Sequence, residues 1–151
     1  MKKIKGIVIY DSVSQNTKKV AREIAEELKC EAVFINDLEN YKLKDFNLIV
    51  LGTPVYGAMP TPKIKRFLRN LKNPEYFASF CTYGVPFFGK IMAKLCLNYM
   101  KKNFNYLGDF SCPGYHYYFK TYKNRPNKKD LLNAKIFAEK INQSLGAKNF
   151  W

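Results

Sequence analysis

The stretch GIVIYDSVSQNTKKVAREIAEEL, residues 6–28, connects a short apolar run to an amphipathic segment through a polar turn. Residues 4–10 predict a β-strand, and apolar residues recur at helical spacing over residues 17–28, at Val20, Ile24, Ala25 and Leu28. Positions 12–17 are rich in hydroxyl and amide side chains, whereas one such residue is enough to cap a helix. The surplus of hydrogen-bond donors predicts a ligand-binding loop at the start of this helix.

The rest of the chain continues this alternation of strands and helices. Further strands are predicted at residues 31–36, 48–51, 76–82 and 106–112, and further helices at 62–71, 90–103 and 127–145. The alternation predicts a parallel five-stranded sheet with helices on both faces, in the doubly wound order 2-1-3-4-5. We expect a single domain over residues 1–151.

Two segments carry more specific predictions about packing. Leu38, Leu43 and Phe46 are expected to anchor the polar connector that follows the second strand. In the third helix, residues 90–103, the large side chains Ile91 and Leu95, with Met92 or Tyr99, are expected to face the core.

Composition excludes several classes of protein. Among 151 residues, 47% are hydrophobic, with 12 Phe and 11 Tyr, which argues against an intrinsically disordered chain. The apolar run at residues 7–10 is too short for a signal peptide or a membrane span, so a cytoplasmic protein is expected. The four cysteines form no CxxC pair, which favours reduced, half-buried thiols over a metal or iron–sulfur site: Cys30, Cys81, Cys96 and Cys112.

The net charge of +14 is the unusual bulk property. Residues 46–129 hold 14 basic side chains but only two acids, Glu75 and Asp109. Two interpretations stay open: a solvated lysine-rich surface, or a face that meets an acidic partner, an anionic membrane or nucleic acid.

Polar or glycine-rich loops follow the first, third and fourth predicted strands. In a doubly wound sheet, ligands bind at the carboxyl ends of the strands, where these loops meet. The first loop would surround one phosphate group with side-chain donors, helix N–H groups and the positive end of the helix dipole. Tyr56 and Tyr83 in the other two loops offer flat surfaces for a ring, and Gly57 permits unusual backbone conformations. Together the loops predict a site for a phosphorylated planar heterocycle.

The same loops resemble the motifs of a known family. YDSVSQNTKKVA, residues 10–21, resembles the phosphate-binding signature of flavodoxins, Tyr-Ser-x-Thr-Gly-Asn-Thr followed by a helix. LGTPVYGAMPTPKIKRFL, residues 51–68, resembles the first isoalloxazine loop of short flavodoxin-like proteins, and FCTYGVPFFG, residues 80–89, resembles the second. The segments at 110–119 and 124–141 are also similar to the end of flavodoxin-family domains, so the resemblance covers the whole chain.

The resemblance implies a flavodoxin-like three-layer α/β/α sandwich that binds FMN. From the residues themselves, we expect no catalytic general base or nucleophile and no metal site. It assigns the phosphate to the first loop and the flavin ring to the other two: Ser12, Ser14, Gln15, Asn16 and Thr17; Pro54, Val55, Tyr56 and Gly57; Thr82, Tyr83 and Gly84. The sequence departs from the family at Gln15, where flavodoxins have glycine, so a positive φ at this position would be strained. It also departs in charge, because electron-carrying flavodoxins are typically acidic.

Three functions follow as hypotheses. The leading one is an FMN-binding electron carrier between redox partner proteins, with an acidic face on the partner and a monomer or weak dimer in solution. The second is an FMN-dependent reductase of quinones or other aromatic small molecules, with a substrate slot formed by Tyr56, Tyr83 and the stretch Tyr115 to Tyr122. The third is a non-enzymatic module that binds a polyanion through its basic face, although nucleic acid is not the expected partner.

Overall fold

The described residues form five strands and four α-helices that alternate along the chain, except that 3₁₀ segments rather than an α-helix connect the second and third strands. The structure, a computed structural model, describes residues 3–101 and 104–148. Strands β1 to β5 span Gly6–Tyr10, Glu31–Phe34, Leu48–Pro54, Tyr76–Tyr83 and Tyr106–Pro113. Helices α1 to α4 span Asn16–Leu28, Pro62–Asn70, Gly89–Lys101 and Lys128–Lys148. The predicted helix at 90–103 is thus confirmed up to Lys101, and its last two residues lie outside the described ranges.

The sheet is parallel throughout and has the order β2-β1-β3-β4-β5, as the sequence predicts. Strand β3 is longer than its predicted apolar core, because pairing with β4 continues through Thr53 and Pro54. Its first six residues are buried, as expected for a central strand covered on both faces. Strand β2 is shorter than predicted, since residues 35–40 turn into a 3₁₀ segment.

Helices cover both faces of the sheet and separate two apolar cores. Helices α1 and α4 pack on one face, around side chains such as Val20, Ile24 and Ile141. Helices α2 and α3 pack on the other face, around Ile64, Leu68 and Met100. Leu38, Leu43 and Phe46 pack against this second core, which confirms their predicted anchoring role. Within the described ranges, none of the helices combines the length and the hydrophobicity needed to cross a bilayer.

The predicted buried face of α3 is wrong for Ile91 and Leu95. Ile91 is 60% exposed and Leu95 is 51% exposed, whereas Tyr99 is partly buried and packs against the second core. The buried side chains of α3 are instead the smaller Ala93 and Cys96 with Leu97 and Met100, which recur at i, i+3, i+4 and i+7. Side-chain size favours burial of the large aliphatic residues. The helix instead turns its smaller Ala and Cys side chains inward, because they allow it to approach the sheet closely.

The cysteines are more deeply buried than expected. Cys81, Cys96 and Cys112 are buried, Cys30 is partly buried, and all four are free thiols. Burial raises the pKa of the Cys112 thiol to about 12 and that of Cys30 to about 11, which keeps both groups protonated at neutral pH.

Candidate functional site

A cavity of about 300 Å³ lies at the carboxyl ends of β1, β3, β4 and β5. All three loops that the sequence predicts as ligand-binding contribute to its walls. The loop after β1 contributes Ser14 and Asn16, the loop after β3 contributes Pro54, Val55 and Tyr56, and the loop after β4 contributes Thr82, Tyr83 and Gly84. The loop after β5 adds a fourth wall, residues 114–118. A larger groove of about 1080 Å³ lies at the opposite end of the sheet, but ligands of doubly wound sheets bind at the carboxyl ends.

Helix α1 begins at this cavity without a cap. Within the described residues, the side chain of its N-cap residue Gln15 makes no capping hydrogen bond, and its first turn contains no acidic residue. The first helical bond runs from the Lys19 N–H to the Gln15 carbonyl, so the N–H groups of residues 16–18 have no acceptor within the helix. The helix N-terminus therefore presents free donors and its positive dipole end, which together favour an anion.

Gln15 adopts the left-handed backbone conformation that the sequence comparison with flavodoxins anticipates at this position. Its φ is 70° and its ψ is −7°. A non-glycine residue in this region costs on the order of 1–3 kcal/mol, and such strain concentrates at functional sites. The turn into α1 thus keeps its shape even though glycine is replaced by glutamine.

Ser12, a predicted phosphate ligand, does not itself line the cavity but carries an unsatisfied polar group. Its Oγ atom is buried and has no hydrogen-bond partner within the described residues. A buried hydroxyl without a partner costs about 1–3 kcal/mol, so such groups are rare in folded proteins. The Ser12 N–H is already engaged, because it donates to Asp11 Oδ1 at 2.9 Å.

Asn16 and Thr17 connect the first loop to its neighbours. Asn16 Nδ2 donates to Ser14 Oγ at 2.9 Å and to the Tyr115 carbonyl at 2.8 Å, so its side-chain donors are used within the protein. Thr17 Oγ1 lies 2.9 Å from Thr82 Oγ1, and both hydroxyls are buried. These side chains position the loop, while the backbone N–H groups of residues 16 and 17 stay available to a ligand.

Asp11 is a structural residue of the site that the sequence analysis missed. Its carboxylate is buried and accepts a 2.7 Å hydrogen bond from Thr61 Oγ1, just before α2. The Thr61 N–H donates to Thr53 Oγ1 at 3.1 Å, so Asp11 fixes the first loop to the end of β3. The signal was available, since an acidic residue directly follows the first strand in a segment otherwise rich in neutral donors.

The loop after β3 forms a tight turn with an exposed aromatic ring. The backbone groups of Tyr56 and Met59 exchange two hydrogen bonds of 2.8 and 3.0 Å, which leaves Gly57 and Ala58 at the tip. Gly57 has a φ of 62°, and a Cβ atom at this position would meet nothing within 4 Å. The Tyr56 side chain is 55% exposed at the cavity mouth, where it is free to stack on a planar ligand.

Tyr83, in contrast, is packed into the protein on part of its surface. A Cβ atom on Gly89 would lie 2.7 Å from the Tyr83 ring, and Tyr122 meets that ring edge-on at 6.1 Å. Burial, with a smaller contribution from Tyr122, raises the pKa of the Tyr83 phenol above its ordinary value. Tyr83 is therefore a fixed wall of the cavity, whereas Tyr56 is an open one.

The loop after β5 contributes His116, the single histidine of the chain. The Phe119 N–H donates to His116 Nδ1 at 3.1 Å, which places the proton of the neutral imidazole on Nε2. The ring also packs against Gly84, where a Cβ would lie 2.7 Å from His116 Cβ. The sequence predicts this aromatic stretch as part of a substrate slot and indicates no role for His116.

This fourth wall is held in place by backbone and charged contacts. The Gly114 N–H donates to the Tyr83 carbonyl at 2.8 Å, and the Tyr115 N–H donates to the Arg125 carbonyl at 2.9 Å. Arg125 Nη2 donates to Asp130 Oδ1 at 2.7 Å, which ties the end of the loop to the start of α4. The cavity is thus built on rigid connections, although Tyr118 at the tip of the loop is 84% exposed.

Comparison with known proteins agrees with this architecture. A family model described as a flavodoxin domain matches residues 7–116. An uncharacterised protein of Methanocaldococcus jannaschii is 34% identical over 148 residues, covering 91% of this chain and 98% of the relative.

Two solved structures are similar in fold. A flavodoxin from the domain Archaea superposes with a TM-score of 0.67 at 18% identity, covering 95% of this chain and 99% of that one. A flavoprotein from Lactobacillus acidophilus, solved in complex with FMN, superposes with a TM-score of 0.56 at 21% identity, covering 72% of this chain and 93% of that one. Together with the sequence match over residues 7–116, these likenesses lead to one conclusion: the chain belongs to the flavodoxin family.

Proposed function

We propose that this protein binds FMN non-covalently in the cavity at the carboxyl ends of the strands and transfers electrons between redox partners. The buried, unpartnered Ser12 Oγ carries the proposal, because a phosphate oxygen would supply the acceptor that this hydroxyl lacks. The uncapped start of α1 adds backbone donors and the helix dipole at the same place. The residues present therefore fit the phosphate of FMN.

The ring of the flavin would lie against the aromatic walls of the cavity. Tyr56 offers an open face, and Tyr83 and Gly84 line the same cavity. When bound, FMN supplies the redox chemistry, whereas the protein binds, orients and shields it. A flavoprotein with a similar fold was solved with FMN bound, which is consistent with this assignment.

The proposed partner proteins have acidic surfaces. The loop after β4 and the start of α3 follow the cavity residues Tyr83 and Gly84 in the chain and expose Phe87, Phe88, Lys90 and Lys94. Phe87 is 92% exposed and has a φ of 66°, in a tight turn closed by a 2.7 Å bond from the Phe88 N–H to the Pro86 carbonyl. This strained aromatic tip is followed by lysines. It is therefore suited to contact a partner surface that has an apolar centre and a negatively charged rim.

Replacement of Ser12 by Ala tests the phosphate site. We expect the affinity for FMN, measured by quenching of flavin fluorescence, to fall roughly tenfold to a hundredfold, because a hydrogen bond to a charged group is lost. The apoprotein should be no less stable than wild type, since the hydroxyl has no partner without a ligand.

Ser79→Ala is the matched control for the Ser12 experiment. The Ser79 hydroxyl is buried but lies 2.6 Å from the Tyr106 hydroxyl, so its loss should lower stability and leave FMN affinity unchanged. An unchanged affinity in Ser12→Ala would contradict the proposed phosphate site.

A reductase activity is the second candidate. It is favoured by the aromatic wall after β5, where Tyr115, His116 and Tyr117 line the same cavity and leave room for a planar substrate. Oxidation of NAD(P)H by a quinone, measured with the FMN-loaded protein, separates the two functions. Steady turnover would identify a reductase, and its absence would leave electron transfer between proteins.

A further inference from the structure

The loop after β5 carries an exposed aromatic tip, residues 117–119. The side chains of Tyr117, Tyr118 and Phe119 are 65%, 84% and 57% exposed. Single exposed apolar side chains are common on protein surfaces, whereas a contiguous exposed group marks a contact surface for a protein or a membrane. Three consecutive exposed rings therefore indicate that this tip meets a partner.

The aromatic tip is held in place without that partner. The His116 N–H donates to the Thr121 carbonyl at 3.1 Å, and the Phe119 N–H donates to His116 Nδ1 at 3.1 Å. The Thr121 hydroxyl donates to the Gly84 carbonyl, which fixes the loop to its neighbour after β4. The rings of Tyr118 and Phe119 meet edge-on at 5.2 Å. The chain thus presents these rings at the surface instead of folding them inward.

Lysines surround the aromatic tip. Lys120 follows it directly, and Lys123 lies three positions further along the chain. Lys123 and Lys19 of α1 line a cleft of about 470 Å³ that also includes Tyr117. Within residues 3–101 and 104–148, none of the three lysines forms an ion pair, and the walls of the cleft contain no carboxylate. The aromatic surface is therefore bordered by uncompensated positive charge.

The composition of this surface favours a lipid bilayer over a protein. Interfaces between proteins are enriched in Arg and depleted in Lys. The single arginine of residues 110–129, Arg125, is engaged by Asp130, and the charges left for a partner belong to lysines. Anionic lipids attract Lys and Arg alike, because that attraction depends on charge rather than on bidentate geometry. Aromatic rings are enriched at the headgroup level of membranes.

We propose that this end of the molecule docks on an anionic phospholipid bilayer. The rings of the aromatic tip enter the headgroup region, and the three lysines contact lipid phosphates. The inference goes beyond the proposed function, and it does not use the loop after β4 that is proposed for partner proteins. Tyr117 and Tyr118 also line the cavity proposed for FMN, so docking places the mouth of that cavity at the membrane surface.

Sedimentation with lipid vesicles tests the proposal. We expect the protein to bind vesicles of equimolar phosphatidylglycerol and phosphatidylcholine about tenfold or more tightly than vesicles of phosphatidylcholine alone, and to be released as ionic strength rises. Equal binding to both vesicles, or binding to neither, would overturn the proposal. The flavin-loaded protein and the apoprotein are both measured, so that a failure here is distinguished from a failure to bind FMN.

Lysine variants test where the contact lies. Lys120→Gln/Lys123→Gln should lower the affinity for the anionic vesicles about tenfold to thirtyfold, since each lysine near an anionic surface contributes to binding. Lys42→Gln/Lys44→Gln is the matched control, because it removes two exposed charges just before β3, at the opposite end of the sheet. Its affinity should change less than about twofold, because salt screens charges at that distance from the membrane. An equal loss in both variants would reduce the effect to net charge and overturn the proposal.

Aromatic variants distinguish a membrane from a soluble polyanion. Tyr118→Ser/Phe119→Ser should lower the affinity for the anionic vesicles about tenfold, because less apolar surface enters the headgroup region, and should leave binding to heparin unchanged. Ile91→Ser/Leu95→Ser removes another exposed apolar pair and should bind the vesicles like wild type. Undiminished vesicle binding of Tyr118→Ser/Phe119→Ser would assign the surface to a soluble acidic partner and overturn the proposal. An equal loss in both aromatic and aliphatic variants would overturn it as well, by moving the contact to α3.

Discussion

At the scale of single residues, the site depends on positions whose local state is unfavourable without a ligand. The Ser12 hydroxyl is buried without a partner, and Gln15 adopts a backbone conformation that favours glycine. Each condition costs roughly 1–3 kcal/mol. The two residues lie on either side of Ser14, so the first loop, residues 12–17, concentrates these costs where the proposed ligand would offset part of them.

Gln15→Gly should raise the stability of the apoprotein by about 0.5–1 kcal/mol. The gain is the relief of the positive φ, reduced by the greater entropy of glycine in the unfolded chain. Urea unfolding of the apoprotein measures this quantity. Lys29→Gly is the control, since Lys29 has a φ of 54° at the end of α1, far from the cavity, and should show a similar gain. A loss of stability in Gln15→Gly alone would mean that the glutamine side chain stabilises the empty loop.

At the scale of secondary-structure elements, α3 shows how packing overrules side-chain size. Its helical period allows two apolar stripes, one with Ile91 and Leu95 and one with Ala93, Cys96, Leu97 and Met100. The second stripe faces the sheet, where Cys81 Sγ lies 3.8 Å from the Ala93 carbonyl. The first stripe is left in solvent next to Phe87 and Phe88, on the face proposed for partner proteins.

Substitutions on the two stripes of α3 should therefore differ in their effect on stability. Ile91→Ser and Leu95→Ser are expected to change the free energy of unfolding by less than about 0.5 kcal/mol, because both residues are largely exposed. Met100→Ala should cost about 2–5 kcal/mol, because it leaves a cavity in the core. Thermal or urea unfolding checks both values, and a large loss in Leu95→Ser would contradict the orientation of the helix.

The start of α4 connects the stability of a helix to the shape of the site. The Asn127 N–H donates to Asp130 Oδ2 at 2.8 Å, and the Asp130 N–H donates to Asn127 Oδ1 at 2.9 Å, a reciprocal cap. Burial alone would raise the pKa of Asp130, but the hydrogen bonds from Arg125 and from the Asn127 N–H outweigh it and hold the pKa below its ordinary value. This cap anchors the loop whose residues form the fourth wall of the cavity.

Acid should weaken this cap, and the sign follows from the lowered pKa. A carboxyl group with a lowered pKa in the folded state contributes stability above its ordinary pKa of 3.8 and loses it as the pH falls through the folded value. Asp130→Asn should therefore cost about 1–2 kcal/mol at pH 7, and the difference from wild type should shrink below about pH 4. Urea unfolding at both pH values measures the change. Asp37→Asn, at an exposed position, should show neither effect.

At the scale of the whole molecule, charge is the property that sets this chain apart from acidic electron carriers. The net charge is +14, and α3 contributes Lys90 and Lys94 without an acidic neighbour on the same helix. The electric field of a protein with this net charge accelerates its encounter with an oppositely charged protein. Salt screens that field over about 10 Å at 0.1 M ionic strength. The charge should therefore act mainly on the rate of association.

Reduction of the flavin-loaded protein by a small acidic iron–sulfur protein should slow down as ionic strength rises. Lys90→Gln/Lys94→Gln should lower the second-order rate at low salt by about threefold to tenfold and flatten its salt dependence, because two charges of the docking face are lost. Stopped-flow absorbance measures the rate. Lys140→Gln on α4 is the control, and a neutral small-molecule reductant should react equally with all variants. A rate that salt leaves unchanged would show that the positive charge serves solvation only.

Much of the architecture follows from the sequence because its signals are local. Alternating strands and helices, continuous apolar runs such as residues 48–51 and three polar loops in order predict the sheet order, the two helical layers and the end of the sheet that holds the cavity. The left-handed conformation at Gln15 was also predictable, since it belongs to one short turn. These features depend on residues close together in the chain.

Only the tertiary structure decides features that depend on residues far apart in the chain. The helical period of α3 allows two apolar stripes, and packing selects the one that is buried. The bond between Asp11 and Thr61 across 50 positions and the bond between Asn16 and Tyr115 across 99 positions leave no periodic pattern to detect. Lys19 and Lys123 are another example of residues far apart in the chain. They line one cavity of about 470 Å³ only because the loop after β5 folds back over the start of α1. The sequence shows which residues are apolar, and their spacing shows which faces of an element could be buried. Packing then selects the face that is buried and brings distant polar groups together.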